Sequence, residues 1–382
     1  MRSNLRKSNR GFTLVEMLIA IALAAFVLGL AVTLYTKGLE ATWTVSQRAE
    51  LQQDARASFN LLTKDISLAN AGLSDTPYYS GIGLATGGVT NPRLGCDFTG
   101  ACHLGAANNA ARVFPVNGGI NYMYGVIPGW QQGATINGAV GPTDAITVVY
   151  LDNAFLLNKY LVRFNDLNGN SITFQVPVPA PNPAPQAVNN SAVGLQRGDL
   201  VLCQNGSQGV IAEVTAPVPA GAGPTYTVSF ADQSPLGFNQ NNAASGNLRN
   251  AIIQNNPARV GVYMPATTTA TRVWLITYYV DRTRPTPTLM RLVNGRLTIP
   301  VAENVADLRF TYNSYNTTGA LINNTGDGGL SNVPPIMPSS IRTINLTRLT
   351  LRSQSRGAKG YQSVDLHSSI SARNMGFIDR YQ

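Results

Sequence analysis

The 24 residues from Phe12 to Tyr35, FTLVEMLIAIALAAFVLGLAVTLY, carry a single charge, the carboxylate of Glu16. A carboxylate held in hydrocarbon costs on the order of 2–3 kcal/mol, and ionisable residues in such segments are usually functional. The chemistry this acid offers is ion pairing with a cation brought into the same apolar setting. Other reactive groups are few. Three cysteines are too few for a disulfide scaffold and lack metal-ligand spacing. Cys96 and Cys102 lie in a turn-rich stretch, GCDFTGAC, short enough to close a loop in an oxidising compartment. Two unpaired thiols, or one joined to Cys203, stay open as alternatives. His103 and His367 are the only histidines, and no HExxH, G-x-S-x-G or P-loop string occurs. Gly81, Gly83 and Gly87 lack the spacing of a dinucleotide fingerprint. The run Asp166-Leu167-Asn168-Gly169-Asn170 opens like a calcium loop, but Ser171 stands where glycine is usual and Pro177 where an acid should close it. A β-turn around Asn168-Gly169 is the expectation. No catalytic residue, metal ligand or cofactor follows from these patterns, and the chain is not expected to be an enzyme.

The elements that position Glu16 come next. At about 1.5 Å per residue, a helix of this length spans the roughly 30 Å hydrocarbon core of a bilayer. Arg2, Arg6, Lys7 and Arg10 precede it with no acid among the first eleven residues. Such a basic flank stays in the cytoplasm, so the rest of the chain faces outward. A secretory signal would need a shorter apolar region followed by small residues, whereas Thr36-Lys37-Gly38-Leu39-Glu40 follows here. A plain anchor gives no reason for Glu16. The helical pattern goes on, because Ala55, Phe59, Leu62, Ile66, Ala69 and Leu73 recur at alternating spacings of four and three. Asp54, Arg56, Lys64 and Asp65 are placed on other faces. Gly72 is a fitting stop, so one helix is predicted from Phe12 to near Ala71.

The string Arg10-Gly11-Phe12-Thr13-Leu14-Val15-Glu16 resembles the type III signal of type IV prepilins. That resemblance implies cleavage by a prepilin peptidase between Gly11 and Phe12 and N-methylation of Phe12. It also implies a role for Glu16 in subunit assembly, as partner of the freed amine of a neighbouring subunit. The chemistry agrees, since cleavage creates an α-amine that is largely cationic at neutral pH, and each charge needs the other in a low-dielectric bundle. Thr33 sits where many major pilins carry a kinking proline, so no proline kink is expected. The implied division is a leader over 1–11, a transmembrane half-helix over 12–35, an amphipathic half over 36–72 and a head over 73–382.

In the head, charged residues are scarce, at 12% of the whole chain, while 36 Gly and 22 Pro point to many loops. Ala145–Leu151, Tyr226–Phe230 and Arg272–Val280 are rich in β-branched and aromatic residues and read as strands. Asn294-Gly295 between apolar runs predicts a hairpin within Leu289–Ile299. Val301, Val305 and Leu308 suggest one short helical turn, after which Leu308, Phe310 and Tyr312 alternate as a strand. Ile344, Leu346, Leu349 and Leu351 alternate with a slip at Thr347-Arg348, the mark of a bulge. Prolines at 177, 179, 181, 183 and 185 favour an extended polyproline segment, either a surface loop or a boundary between two β subdomains. Residues 177–190 and 233–256 are read as loops.

The strings YYVD at Tyr278–Asp281, Leu289–Leu292, Val301–Tyr312 and Ile341–Leu346 resemble the PilW-type minor pilins. The implied fold is α+β and pilin-like, a long N-terminal helix packed on a large β-rich head of one or two subdomains. The implied function is a minor pilin that helps initiate or cap a type IV pilus, serving pilus biogenesis, twitching motility and adhesion. Its partners would be the prepilin peptidase, the inner-membrane assembly platform, other minor and major pilins and a tip adhesin. It would sit in the bacterial inner membrane, head in the periplasm, before moving to the pilus, near its tip. A J-type pseudopilin of a type II secretion system shares the signal, and a tip adhesin or DNA-uptake receptor is a further alternative. From Thr271 onward thirteen Lys/Arg face six Asp/Glu, but Arg342, Arg348, Arg352 and Arg356 are spread along strands. Solvated strand faces explain them, and nucleic acid is not an expected partner.

Overall fold

In a computed structural model of the chain, the structure describes residues 11–73, 93–104, 125–136, 141–205, 208–219, 224–239, 260–263, 268–315, 320–325, 341–354 and 361–372. The basic leader up to Arg10, the triplet Gly81, Gly83 and Gly87, the Asn-rich stretch after Asn239, and Arg356 lie outside them. One helix, α1 (Leu14–Ser67), is followed by fourteen described strands, giving the expected α+β architecture. The chain forms two compact units. One holds residues up to Gln53 together with Arg352–Ser363, and the other holds Asp54–Leu351 and Val364–Gln382.

In the first unit, α1 is unbroken through Thr33, whose hydroxyl donates back to the Gly29 carbonyl at 2.8 Å. Its side chains from Leu14 to Tyr35 are exposed throughout. An all-round apolar, solvent-facing helix is stable only in hydrocarbon or among other helices.

In the second unit, residues 54–67 of α1 bury Ala55, Ser58, Leu62, Asp65 and Ile66; the helix ends at Ser67, short of the expected Ala71, and the chain turns through Asn70 at φ 63° before Gly72 at φ 76°. Burying Leu62 and Ile66 contributes roughly 1.5–3 kcal/mol each. The helix end is joined to the sheet by main-chain bonds, Asn70 N to Val149 O at 2.8 Å and Leu151 N to Ala71 O at 2.9 Å.

That sheet has seven strands. Its path runs β1 (Val126–Gly129), β2 (Ala145–Leu151), β8 (Thr268–Asp281), β5 (Leu200–Asn205) and β6 (Gln208–Glu213), with β9 (Thr288–Val293) on β8 and β10 (Leu297–Ala302) on β9. Alternation along β5 sorts two cores, as expected of a strand covered on both faces. Leu200 and Leu202 enter a cluster with Val149, Leu275, Tyr279 and Leu292. Val201 and Cys203 enter another with Phe164, Phe174, Val210 and Val228. A three-stranded sheet, β3 (Leu161–Phe164), β4 (Ser171–Gln175) and β7 (Thr225–Ser229), supplies much of the second cluster. A four-stranded sheet runs β12 (Leu321–Thr325), β11 (Val305–Tyr315), β13 (Ile341–Gln354) and β14 (Tyr361–Ser371).

The Asn294-Gly295 hairpin is present, with β9 and β10 antiparallel and both turn residues at positive φ, 49° and 63°. The bulge is present as well: Arg309 pairs with Arg348 and Phe310 with Leu346, leaving Thr347 as the extra residue. Asp166 Oδ1 accepts from the backbone N–H of Asn168 and of Gly169, both at 2.8 Å, so this segment is a turn between β3 and β4. Four readings change. No helical turn spans Val301–Leu308: β10 runs to Ala302 and β11 starts at Val305, with a reversal through Asn304 at φ 59°. Asn supplies that left-handed conformation more readily than other non-Gly residues, and apolar spacings of four and three across the break between two strands of different sheets imitate a helical one. The proline run bends at Val178-Pro179 and Asn182-Pro183 instead of forming one extended segment. Nor does it divide two subdomains, because Phe164, Ile172 and Phe174 before it share a core with Val201, Cys203 and Val210 after it. Finally, Asp65 is buried rather than solvent-facing.

Candidate functional site

The N-terminal site is built from four residues. Helical φ/ψ begins at Leu14, which makes Thr13 the N-cap and Glu16 the third helical residue. Glu16 Oε2 accepts from the Thr13 N–H at 2.9 Å and from the Thr13 hydroxyl at 3.0 Å. The Thr13 Oγ1 in turn accepts from the Glu16 N–H at 3.3 Å. This is a reciprocal capping box, T-x-x-E, which satisfies two of the orphan donors at the helix start. Inside an apolar segment those orphans have no water to turn to. The box therefore holds the Glu16 carboxylate on the N-cap residue Thr13. Phe12, which precedes Thr13, is 86% exposed, and no described heavy atom lies within 4 Å of the open face of Gly11. Past the apolar stretch, the first charges are Lys37 and Glu40, paired at 3.0 Å on an exposed face, a contact worth well under 1 kcal/mol.

With this geometry in view, residues 6–32 match the prokaryotic N-terminal methylation motif. No curated protein and no solved structure is significantly similar to the chain. Over this stretch the chain is similar to type IV pilin-like and pseudopilin proteins. The motif supports N-terminal methylation, processing by a prepilin peptidase, anchoring in the membrane and assembly with pilus machinery, and α1 is long and apolar enough to cross a bilayer. Such a motif fits a structural subunit rather than a catalyst.

A second site lies where the helix meets the head. The Asp65 side chain is 3% exposed. Its Oδ2 accepts from the Tyr278 hydroxyl of β8 at 2.7 Å and from Arg291 Nε of β9 at 2.6 Å, and Oδ1 faces the Tyr150 hydroxyl of β2 at 3.5 Å. Desolvation, then the nearby Asp65 charge, pushes both tyrosine hydroxyls far above their usual range, so they stay protonated donors. A carboxylate with three strand-borne donors is well satisfied despite its burial. Periodicity misplaces Asp65 because it neighbours Leu62 and Ile66 on the stripe without being apolar. The signal was its position, three residues after one buried leucine and one before a buried isoleucine.

The head carries three further polar hubs. Cys96 and Cys102 form a disulfide. Their loop is organised by Asp97 Oδ1, which accepts from Thr99 N and Ala101 N at 2.9 and 3.0 Å. The loop docks on the β9–β10 turn through Phe98 N to Gly295 O at 2.8 Å, while Leu94, Cys96 and Leu104 are buried beneath it. His103 stacks on Tyr279 and faces Asp97 at 3.4 Å. Cys203 is buried, its thiol pushed up to about 12 by desolvation, which keeps it unreactive. Glu213, 1% exposed at the end of β6, accepts from Leu236 N at 3.0 Å and receives a hydrogen bond from Ser234. Burial raises its carboxyl to about 7. Asp144 joins the seven- and four-stranded sheets, accepting from Gln131 N and Phe310 N, both at 2.8 Å, and burial raises it to about 6 although Arg309 stands at 3.8 Å. Arg348 in the basic C-terminal third pairs with Asp307 at 3.3 Å. Among the described residues no three His, Cys, Asp or Glu side chains gather in a way that would hold a metal.

Proposed function

We propose that this chain is a minor pilin of the PilW type, cut between Gly11 and Phe12, methylated on Phe12, and helping to initiate or cap a type IV pilus. The observation that carries the reading is the methylation motif at residues 6–32 joined to a β-rich head of some 300 residues. A head that large suits a low-abundance subunit at a filament end better than one repeated in every layer. Residues 12–35 would span the inner membrane and residues 36–72 would carry the helix onto the head over 73–382. The Cys96–Cys102 disulfide supports a head in the periplasm, since disulfides persist in oxidising compartments. Glu16 would exchange its capping contacts with Thr13 for the cationic amine of a neighbouring subunit's Phe12. Partners would be the prepilin peptidase, the assembly platform, other pilins and a tip adhesin.

Mass analysis of the mature protein tests the processing: a start at N-methylated Phe12 is expected, and an intact Met1 would overturn it. A clean deletion tests the role. Loss of surface pili and twitching is expected; normal piliation with a protein-secretion defect would assign the chain to a type II secretion pseudopilus instead.

A further inference from the structure

The helix segment 54–67 turns Ala55, Ser58, Leu62, Asp65 and Ile66 inward, all buried. Four of these five are small or aliphatic, and because apolar burial is non-directional such a stripe fixes which face turns inward but specifies the fine rotation and register only loosely. The carboxylate is different. Its Oδ2 is shared by Tyr278 and Arg291 on neighbouring strands β8 and β9, while Oδ1 faces Tyr150 on β2. Turning the helix away would strand a buried acid and a guanidinium that is only 15% exposed, the arrangement that proteins tolerate least. The main-chain bonds at Asn70 and Ala71 hold the end of the segment. They do not fix the rotation of the turns before it.

Opposite the buried stripe, Arg56, Asn60 and Lys64 recur every fourth residue and are exposed. We propose that Asp65 is a positioning residue for assembly. By pairing with Tyr278 and Arg291 it sets the rotation and register of the helix on the head, and so decides that the Arg56–Asn60–Lys64 face is the one offered to neighbouring subunits. The assembly half of this inference rests on the pilin reading above; the conformational half does not. Buried ion pairs often contribute little to net stability, and fixing a unique arrangement is their best-attested use.

The test is hydrogen exchange on the full-length protein in detergent micelles, paired with recovery of the same variants in sheared pili. In Asp65→Leu/Arg291→Met the pair is replaced by apolar side chains of similar size. The expected result is a melting temperature within a few degrees of the parent, at least tenfold faster exchange confined to amides 54–67, and at least tenfold less subunit in pili. Parent-like exchange overturns the proposal, and so does faster exchange throughout the head, which marks plain destabilisation. If the double variant does not fold, Asp65→Asn is read by the same criterion of confined against general exchange. A loosened helix with normal incorporation overturns the assembly role. Absence of the unaltered protein from pili would instead refute the pilin reading, and the exchange result would still decide the conformational one.

Discussion

Neutralising Glu213 should remove a defined part of the pH dependence of the head. Its carboxylate lies at the end of β6, 1% exposed, and Arg197 is a cation near enough to act on it. Desolvation is the largest influence and raises its pKa from 4.5 to about 7; hydrogen bonds from Ser234 and Leu236 oppose this only in part. Between these two values the folded chain holds a proton that the unfolded chain has released. The slope of unfolding free energy with pH follows protons bound unfolded minus folded, so it is negative here. The contribution is fully present below about 4.5 and is lost as pH rises through 7. A shift of that size corresponds to about 3 kcal/mol, at 1.36 kcal/mol per unit. Glu213→Gln keeps an acceptor for Leu236 N–H and cannot ionise. Chemical denaturation of the full-length protein in detergent, at pH 5 and pH 8, should find the variant near the parent at pH 5 and about 3 kcal/mol more stable at pH 8. Parallel curves at both pH values would refute the reasoning, because they would mean that water or a rearranged loop solvates the charged form. Asp144, raised to about 6, acts in the same direction, so only the difference between parent and variant isolates Glu213.

Four more outcomes follow. Replacing Cys96 and Cys102 by serine removes a cross-link between residues six apart, which chain-entropy reasoning values at about 2 kcal/mol; equal thermal melts with and without the bond would contradict this. Gly295→Ala places a Cβ 2.9 Å from the Cys96 carbonyl at φ +63°; a left-handed alanine alone costs about 1–2 kcal/mol, so a lower melting temperature is expected, and an unchanged one would show that the turn re-forms. Thr13→Ala deletes the N-cap, worth about 1 kcal/mol, so faster exchange of the first helical amides is expected. By contrast, Glu16→Ala should be processed yet missing from pili, read by immunoblot of the sheared fraction; its normal recovery there would refute the pairing role.

The local features were legible in the sequence. Hairpin chemistry at Asn294-Gly295, the bulge at Thr347 and strand β2 over Ala145–Leu151 all follow from residue types a few positions apart. So does the long helix, whose apolar run and stripe need no knowledge of the rest. Others escaped because near and distant partners compete. Strands β5 and β6 are buried on both faces and lack the alternation that marks a half-exposed strand, and in β14 the polar Gln362 and Ser368 interrupt the apolar inner face of Val364, Leu366 and Ile370. The helical spacing at Val301–Leu308 was an accident of two strands meeting at Asn304.

Composition and local pattern alone determined the long apolar N-terminal helix and the α+β class, because each depends on residues within a turn or two of one another. Only the tertiary structure decided that Asp65 is an inward-facing anchor, that the proline run separates no cores, and that Glu213 and Asp144 are desolvated. In each case the partners lie tens to hundreds of residues away, and whether a charge is solvated or buried is a property of what folds over it.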